Sequence, residues 1–209
     1  MTSKSIIDLN AVTVELLHKQ DYVTAIEAAS EALRLQQKTF QADRRAAVQA
    51  VDVCDGLLDQ CMLLSKTDDT KTSAADAFIY DHGIVLPPTI ADKSLISAIL
   101  IFNSALAHQL CAETGAGPTI QLLHRANNLY KVVSEIPEMG TNILFQFAVM
   151  NNLAVIEKEI GDKTTATSYF EVLMEVFMLM IDQDCSHQLS QVRGFLMNVR
   201  FQIDAAGAA

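Results

Sequence analysis

Tryptophan is absent from this chain of 209 residues, and glycine and proline are scarce, at eight and four residues. Glycine and proline most disfavour a helix interior, whereas alanine and leucine, which are abundant here, favour it. Half of the residues are hydrophobic and 19% are charged, which gives enough apolar surface for a core and excludes wholesale disorder. The composition therefore predicts a folded chain rich in helix.

Positive charge is also scarce. The chain has 15 lysines and arginines against 25 aspartates and glutamates, for a formal net charge of −10. Binding to nucleic acid or to an anionic membrane surface depends on basic side chains near phosphates. The densest basic cluster is only Arg44-Arg45. We therefore expect no nucleic-acid partner and no attraction to an anionic membrane.

Long apolar runs are missing as well. The amino-terminal stretch lacks the apolar core of a secretory signal, and no uninterrupted apolar run reaches the ~18 residues typical of a membrane span. The most apolar stretch begins at Phe170 and contains Glu171 and Glu175. The four cysteines have no close spacing, which indicates reduced thiols. These features predict an intracellular, cytoplasmic protein with no membrane insertion.

Motifs for catalysis and metal binding do not occur: the chain has no Cys-x-x-Cys, Gly-x-Ser-x-Gly or His-Glu-x-x-His. The TGAGPT stretch at 114–119 lacks the lysine of a phosphate loop, and we interpret it as a linker between helices. His108 and Cys111 lie one helical turn apart, but a structural histidine and a core-filling cysteine explain them more simply. The sequence thus predicts a protein that is not an enzyme and has no metal or cofactor.

Apolar residues recur at spacings of three and four along most of the chain, which is typical of helices that bury one face. The pattern predicts a single domain, residues 1–209, made of paired helices, an insertion and a capping helix. The predicted segments are hairpins at about 6–36, 94–135 and 141–181, an insertion at about 40–90 and a capping helix at about 187–203.

The insertion has three predicted parts. Residues 44–64 have a helical pattern, and the polar stretch 65–76 is typical of a loop. The stretch FIYDHGIVLPP, at 78–88, is rich in aromatic and β-branched residues and ends at Pro87-Pro88. We interpret it as an extended strap packed across helices, with a short hairpin at 81–83 as the alternative.

The first and last hairpins align without gaps. The alignment pairs Asp21 with Asp162, Ala25 with Ala166, Ala29 with Phe170, and Ala32 with Leu173. A middle segment has Ala126, Tyr130 and Val133 at the same steps of four and three. A small residue lets two helices approach closely, and a larger one four positions later lies on the same face. The first helices also match, because FNSALAHQL from Phe102 and MNNLAVIEK from Met150 both place an asparagine before a small residue.

This pattern resembles the tetratricopeptide repeat (TPR) family, whose helical hairpins have about 34 residues. The strongest matches are Asn152-Leu153-Ala154, Gly161-Asp162 and Ala166-x-x-x-Phe170. The chain departs from the family in lacking tryptophan and a closing proline, and in having Ala29 where an aromatic is usual. The resemblance covers three hairpins, about half the chain. The blocks FIYDHGIVLPP, FNSALAHQL and GFLMNV are also similar to TPR-like proteins of unicellular algae, a likeness that implies no activity.

The TPR resemblance implies an all-α fold, a superhelical α-α array of about three TPR-like hairpins with an inserted extended strap and a C-terminal capping helix. In such arrays the first helix of each hairpin lines a concave groove that receives a peptide or helix. Carried over to this chain, the groove consists of Phe102, Asn103, Leu106, Gln109, Asn151, Asn152, Val155 and Lys158. Asparagine carboxamides can hold an extended peptide by its main chain, and Lys158 can meet a carboxylate. The alternative for Asn103 and Asn152 is that they only tie adjacent hairpins together.

The predicted function is therefore non-catalytic protein–protein binding, as an adaptor or assembly factor that takes a peptide or helix in the groove. The alternative is a structural or regulatory subunit of a larger complex that uses the Met- and Phe-rich helix at 170–181, because methionine side chains repack readily against a partner. Burial beneath the C-terminal helix also explains that composition. The sequence leaves the identity of the partner and the oligomeric state open.

Overall fold

The computed structural model describes residues 5–43, 79–90, 92–136 and 143–182, together with Phe195 and Asn198. The predicted helix and loop at 44–76 and most of the predicted capping helix lie outside the described residues. The part of the chain that is described is all-α, as the sequence predicts. Its helices are α1 (Ile6–His18), α2 (Tyr22–Asp43), α3 (Lys93–Glu113), α4 (Thr119–Ser134), α5 (Ile143–Ile160) and α6 (Lys163–Asp182).

Helices α1, α3 and α4 begin where the sequence offers a capping side chain or a proline. Ser5 and Asp8 form a reciprocal capping box at the start of α1, with hydrogen bonds of 3.0 and 3.1 Å. Asp92 caps α3 by accepting the amide of Leu95 at 2.9 Å. Pro118 precedes α4, where the missing proline N–H costs no helical hydrogen bond.

Each helix packs against the next one in the chain, and α1 also packs against α3. The second helices of the three pairs, α2, α4 and α6, bury the predicted small residue and the residue four positions after it. These buried residues are Ala25 and Ala29, Ala126 and Tyr130, and Ala166 and Phe170. The periodicity therefore identified the buried faces of α2, α4 and α6.

Helix α3 is the centre of the core. It is the one helix among the described residues that is long and apolar enough to cross a membrane, with 83% of that window buried inside the structure. It packs against both α2 and α4, and its buried residues lie between Leu95 and Ala112. Burial among these helices accounts for its hydropathy, and the expected lack of membrane insertion stays a prediction.

Helix α2 continues to Asp43, past the predicted end of the first hairpin at 36. The polar residues there are good helix formers, and no glycine or proline follows to end the helix. Gln36 is buried, and its Nε2 donates to the carbonyl of Lys93 at 3.4 Å. The last part of α2 therefore also contacts the start of α3, which a pattern of apolar residues does not reveal.

Two hairpin turns have the same geometry, one after α1 and one after α5. Gln20 and Gly161, which the sequence alignment places opposite each other, both have positive φ, at 61° and 101°. The amides of the following residues, Asp21 and Asp162, donate to the carbonyl five residues earlier, at 3.0 and 2.9 Å. This pairing is the Schellman arrangement that closes a helix through a residue in the left-handed region.

The aspartates of these turns also start the second helix of each pair. The Asp21 carboxylate accepts the amide of Thr24 at 3.3 Å, and the Asp162 carboxylate accepts the amide of Thr165 at 3.0 Å. The Thr165 hydrogen bonds lower the pKa of Asp162, because they stabilise the ionised form. The first and third hairpins thus share one turn design, which ends one helix and begins the next within three residues.

Exchanging the residues with positive φ tests this design. A side chain in the left-handed region is strained, so we expect Gln20→Gly to raise the free energy of unfolding by up to about 1 kcal/mol and Gly161→Ala to lower it by about 1 kcal/mol. A Cβ at residue 161 would meet no described atom within 4 Å, so the backbone alone sets the effect there. Urea unfolding measures both. Changes of the same sign in the two variants would contradict equivalent turns.

Candidate functional site

The carboxamide of Asn103 on α3 binds the main chain of Ile84. Its Oδ1 accepts the Ile84 amide at 2.8 Å, and its Nδ2 donates to the Ile84 carbonyl at 2.7 Å. Both residues are buried, so water does not compete for these groups. The carboxamide therefore acts on Ile84 as a residue of a neighbouring strand would act in a sheet.

Asn10 on α1 completes this pairing. Its Nδ2 donates to the same Ile84 carbonyl at 3.0 Å, and its Oδ1 accepts the second Nδ2 proton of Asn103 at 2.8 Å. Asn103 thereby uses both donors and its acceptor, which a buried amide must do to avoid a desolvation cost. The first helices of two hairpins are thus joined through one residue of segment 79–90.

Asn152 on α5 makes the corresponding pairing four residues earlier in the segment. Its Oδ1 accepts the Tyr80 amide and its Nδ2 donates to the Tyr80 carbonyl, both at 3.0 Å. The second Nδ2 proton goes to the Tyr130 hydroxyl at 2.9 Å, and that hydroxyl donates to Gln109 Oε1 at 3.2 Å. Burial raises the pKa of Tyr130, which keeps its hydroxyl protonated and able to donate.

Asn151, next along α5, extends the network towards the C-terminal part of the chain. Its Nδ2 donates to Asn152 Oδ1 at 3.2 Å, and its Oδ1 accepts Asn198 Nδ2 at 2.6 Å. Near by, the ring of Phe195 stacks on Tyr80 with centroids 6.1 Å apart. Residues from both ends of the chain therefore converge on the same segment.

Segment 79–90 itself contains neither helix nor strand. Its Ile84 and Leu86 side chains are 0% and 1% exposed, and burying each contributes about 1.5–3 kcal/mol. Gly83 passes so close to α1 that an added Cβ would lie 2.9 Å from Leu17 Cδ1 and 3.0 Å from Val14 Cγ2. The segment is therefore held by side-chain burial, by close approach at Gly83 and by main-chain hydrogen bonds to asparagines.

The eight residues of the predicted groove lie on α3 and α5, and seven of them are buried. Phe102, Asn103, Leu106, Gln109, Asn151, Asn152 and Val155 are at most 2% exposed, whereas Lys158 is exposed. Phe102 belongs to an aromatic cluster, with ring centroids 5.6 Å from Tyr130 and 5.3 Å from Phe145. Asn103 and Asn152 do bind a peptide main chain, but it belongs to this same chain. Their binding of a separate partner stays a prediction.

Sequence reasoning missed Asn10 as a member of this site. The alignment that pairs Asp21 with Asp162, continued towards the N-terminus, places Asn10 opposite Asn151. Both of these asparagines bind the carboxamide of another asparagine, Asn103 and Asn152 respectively. This alignment therefore identifies Asn10, although the predicted groove includes residues of the second and third hairpins only.

A second polar cluster joins α4 to α5 on another side of the structure. Glu157 is 5% exposed, and its Oε1 accepts Asn127 Nδ2 at 2.9 Å and Lys131 Nζ at 2.7 Å. The hydrogen bond to Glu157 raises the pKa of Lys131, which keeps the ammonium charged and disfavours a nucleophilic role. This cluster is an interhelical ion pair.

The described residues hold no group of three or more His, Cys, Asp and Glu side chains that could bind a metal ion. His108 is buried within α3, and its Nδ1 donates to the Ser104 carbonyl at 2.7 Å. Cys111 is a free, buried thiol, and burial raises its pKa, which disfavours the reactive thiolate. Both positions fit the structural roles expected of them. The absence of enzymatic activity stays a prediction.

Comparisons with protein-family models, with curated proteins and with solved structures find no match for this chain. The resemblance to the TPR family therefore stays a prediction from the sequence.

Removing the Asn103 carboxamide tests its importance for the fold. Asn103→Ala leaves the Ile84 amide and Asn10 Oδ1 buried without their partner, so we expect the free energy of unfolding to fall by about 3 kcal/mol. Asn128 lies exposed on α4, and Asn128→Ala is the matched control, for which we expect little change. Urea denaturation measures both. A similar small effect in the two variants would contradict the role of Asn103.

The buried His108 predicts a pH dependence of stability. Desolvation lowers its pKa, so below pH ~6.5 the unfolded chain binds a proton that the folded chain resists. The neutral form of His108 therefore stabilises the fold fully above pH ~6.5. As the pH falls below that value, the free energy of unfolding decreases by at most about 1.4 kcal/mol per pH unit. We expect the free energy of unfolding, measured by urea denaturation, to decrease less between pH 7 and 5.5 in His108→Gln than in the native chain. His124→Gln, at an exposed position, is the control. An unchanged slope in the His108 variant would contradict this assignment.

Proposed function

We propose that this protein is a non-catalytic protein–protein interaction module that binds an extended peptide along the face formed by α1, α3 and α5. One observation carries the proposal: Asn103 and Asn152 each bind both the amide and the carbonyl of one residue of segment 79–90. Main-chain pairing of this kind is available to any extended peptide. The face therefore has the chemistry of a peptide-binding surface, with buried aromatic and aliphatic side chains around the carboxamides.

The proposed architecture is a superhelical array of three TPR-like hairpins, α1–α2, α3–α4 and α5–α6, with segment 79–90 as a strap across the first helices. The matching turns at Gln20 and Gly161 support a repeated hairpin, as do the small residues buried in α2, α4 and α6. In a repeat array, equivalent positions of successive first helices form one continuous surface. Asn103 and Asn152 fit that arrangement, because each binds one residue of segment 79–90 in the same way, and so do Asn10 and Asn151, which the alignment places opposite each other.

Lys158 is the accessible part of the proposed face. It follows Asn151 and Val155 along one side of α5, at spacings of four and three residues, and it is exposed. Its ammonium can pair with a carboxylate of a bound peptide without rearrangement of the core. A partner with an acidic residue or a free carboxyl terminus at this end suits the site.

A second candidate is the exposed side of α6, on which a larger complex would be assembled. Val172 and Met178 are 41% and 52% exposed, and Phe177, next to Met178 in the chain, is half-buried. Exposed apolar side chains are a common feature of docking surfaces. In this alternative the protein is a structural or regulatory subunit.

Affinity purification of the tagged full chain, followed by mass spectrometry, separates the two candidates. Lys158→Glu reverses the one exposed charge of the predicted groove, and Lys163→Glu, exposed at the start of α6, is its matched control. For the α6 surface the variant is Val172→Gln with Met178→Gln, and the control is Glu171→Gln with Glu175→Gln on the same helix. We expect a partner whose recovery falls about tenfold with Lys158→Glu and is unchanged by the other three variants.

Loss of the partner only in the variant at Val172 and Met178 would replace the groove with the α6 surface. Recovery of the same partners with every variant would contradict both candidates. Circular dichroism of each variant shows whether helix content is retained, so that loss of a partner is not caused by unfolding.

A further inference from the structure

We propose that segment 79–90 is an intramolecular competitor, which occupies the peptide-binding face in the isolated chain and leaves it when a partner peptide of the same chemistry binds. This inference rests on the proposed function and specifies the partner class. The segment is the occupant that the structure shows on the carboxamides of Asn103 and Asn152. A partner can reach those carboxamides only after the segment has moved.

The contacts that hold segment 79–90 allow a second peptide to replace it. At Tyr80 and Ile84 the main chain is bound by side chains of α1, α3 and α5, and the segment contributes no helix or strand of its own. A second peptide in the same position can therefore form the same hydrogen bonds, group for group. Departure of the segment does not require the helical hydrogen bonds of these helices to break, because the helices bind Tyr80 and Ile84 through side chains.

The contacts of the segment also define the sequence of a competing peptide. The Tyr80 ring meets the Phe102 ring edge to face and stacks on the Phe195 ring, with centroids 6.0 and 6.1 Å away, so an aromatic residue is favoured there. Three residues later, Gly83 packs so closely against α1 that a Cβ there would force the side chains of Leu17 and Val14 to shift, which favours glycine. Ile84 and Leu86 then fill the core. The expected partner motif is aromatic-x-x-Gly-aliphatic-x-aliphatic in an extended conformation.

Competition within one chain lowers the apparent affinity for a free peptide. The segment is joined to α3 by a short connection, which gives it a high effective concentration at the face. The apparent dissociation constant of a free peptide equals its intrinsic value divided by the fraction of protein whose face is empty. Weakening the segment, with the face left unchanged, must therefore reveal binding that the native chain conceals.

The test uses a fluorescein-labelled synthetic peptide of residues 79–88, IYDHGIVLPP, and the full chain in its native form and as Ile84→Ala with Leu86→Ala. These changes remove apolar contacts of the segment and keep Asn103 and Asn152. Fluorescence anisotropy should show that the peptide binds the variant at least about tenfold more tightly than the native chain, since more of the variant has an empty face. Equal affinity for the two proteins, with the variant folded by circular dichroism, would overturn the proposal.

Two N-methylated peptides test the main-chain pairing. Methylation of the amides equivalent to Tyr80 and Ile84 removes the two donors that Asn152 and Asn103 accept, so this peptide should lose at least about tenfold in affinity for the variant. Methylation at Asp81 and Val85 leaves those two donors intact and is the matched control. If both methylated peptides bind equally well, the peptide does not occupy the carboxamides, and the assignment fails.

Hydrogen exchange on the native chain gives a test that is independent of the variant. If the segment opens by itself, the amides of Tyr80 and Ile84 exchange faster than core amides of α3 such as that of Leu106. If the amides of Tyr80, Ile84 and Leu106 all exchange at the same rate, that of global unfolding, the segment does not open by itself. That result would overturn the proposal. The two proposals fail separately, because loss of a partner with Lys158→Glu reports recognition at the exposed end of the face, where Lys158 is accessible whether or not the segment moves.

Discussion

A main chain that crosses a protein core outside helix and sheet must find a hydrogen-bond partner for each of its buried polar groups. Segment 79–90 meets this constraint with side chains, because carboxamides of α1, α3 and α5 bind the amides and carbonyls of Tyr80 and Ile84. A carboxamide carries the same donor and acceptor as a peptide unit, so it can replace a neighbouring strand. The rotation of the three helices about their own axes is consequently fixed, since each must present its asparagine to the same segment.

The helices and the residues buried in α2, α4 and α6 were predictable because they depend on local periodicity and on residue size. The turns at Gln20 and Gly161 were predictable in position, since the aspartate that follows each one starts a helix. The end of α2 was not predictable in this way. Its last turns contain polar residues, and a buried amide at Gln36 contacts α3 through hydrogen bonds that a hydrophobic pattern does not encode.

The candidate site was predictable in its chemistry but not in its occupant. The similarity of the stretches around Asn103 and Asn152 identified both side chains and their capacity to bind a peptide main chain. Asn152 and Tyr80 are 72 residues apart, and no spacing rule connects an asparagine on one helix to a distant irregular segment. A single sequence therefore could not show that the bound peptide belongs to the chain itself, or that Asn10 takes part.

The apolar surface of α3 has a consequence for the chain during its synthesis, before folding is complete. A newly made chain that has reached Glu113 has not yet made α4, the helix that covers one side of α3. Until α4 follows, the apolar side of α3 that packs against α4 is exposed, and exposed apolar surface of this kind favours aggregation. The order of synthesis thus leaves the α4-facing side of α3 uncovered until α4 is made, and docking onto the completed α2 is the earliest protection of this helix.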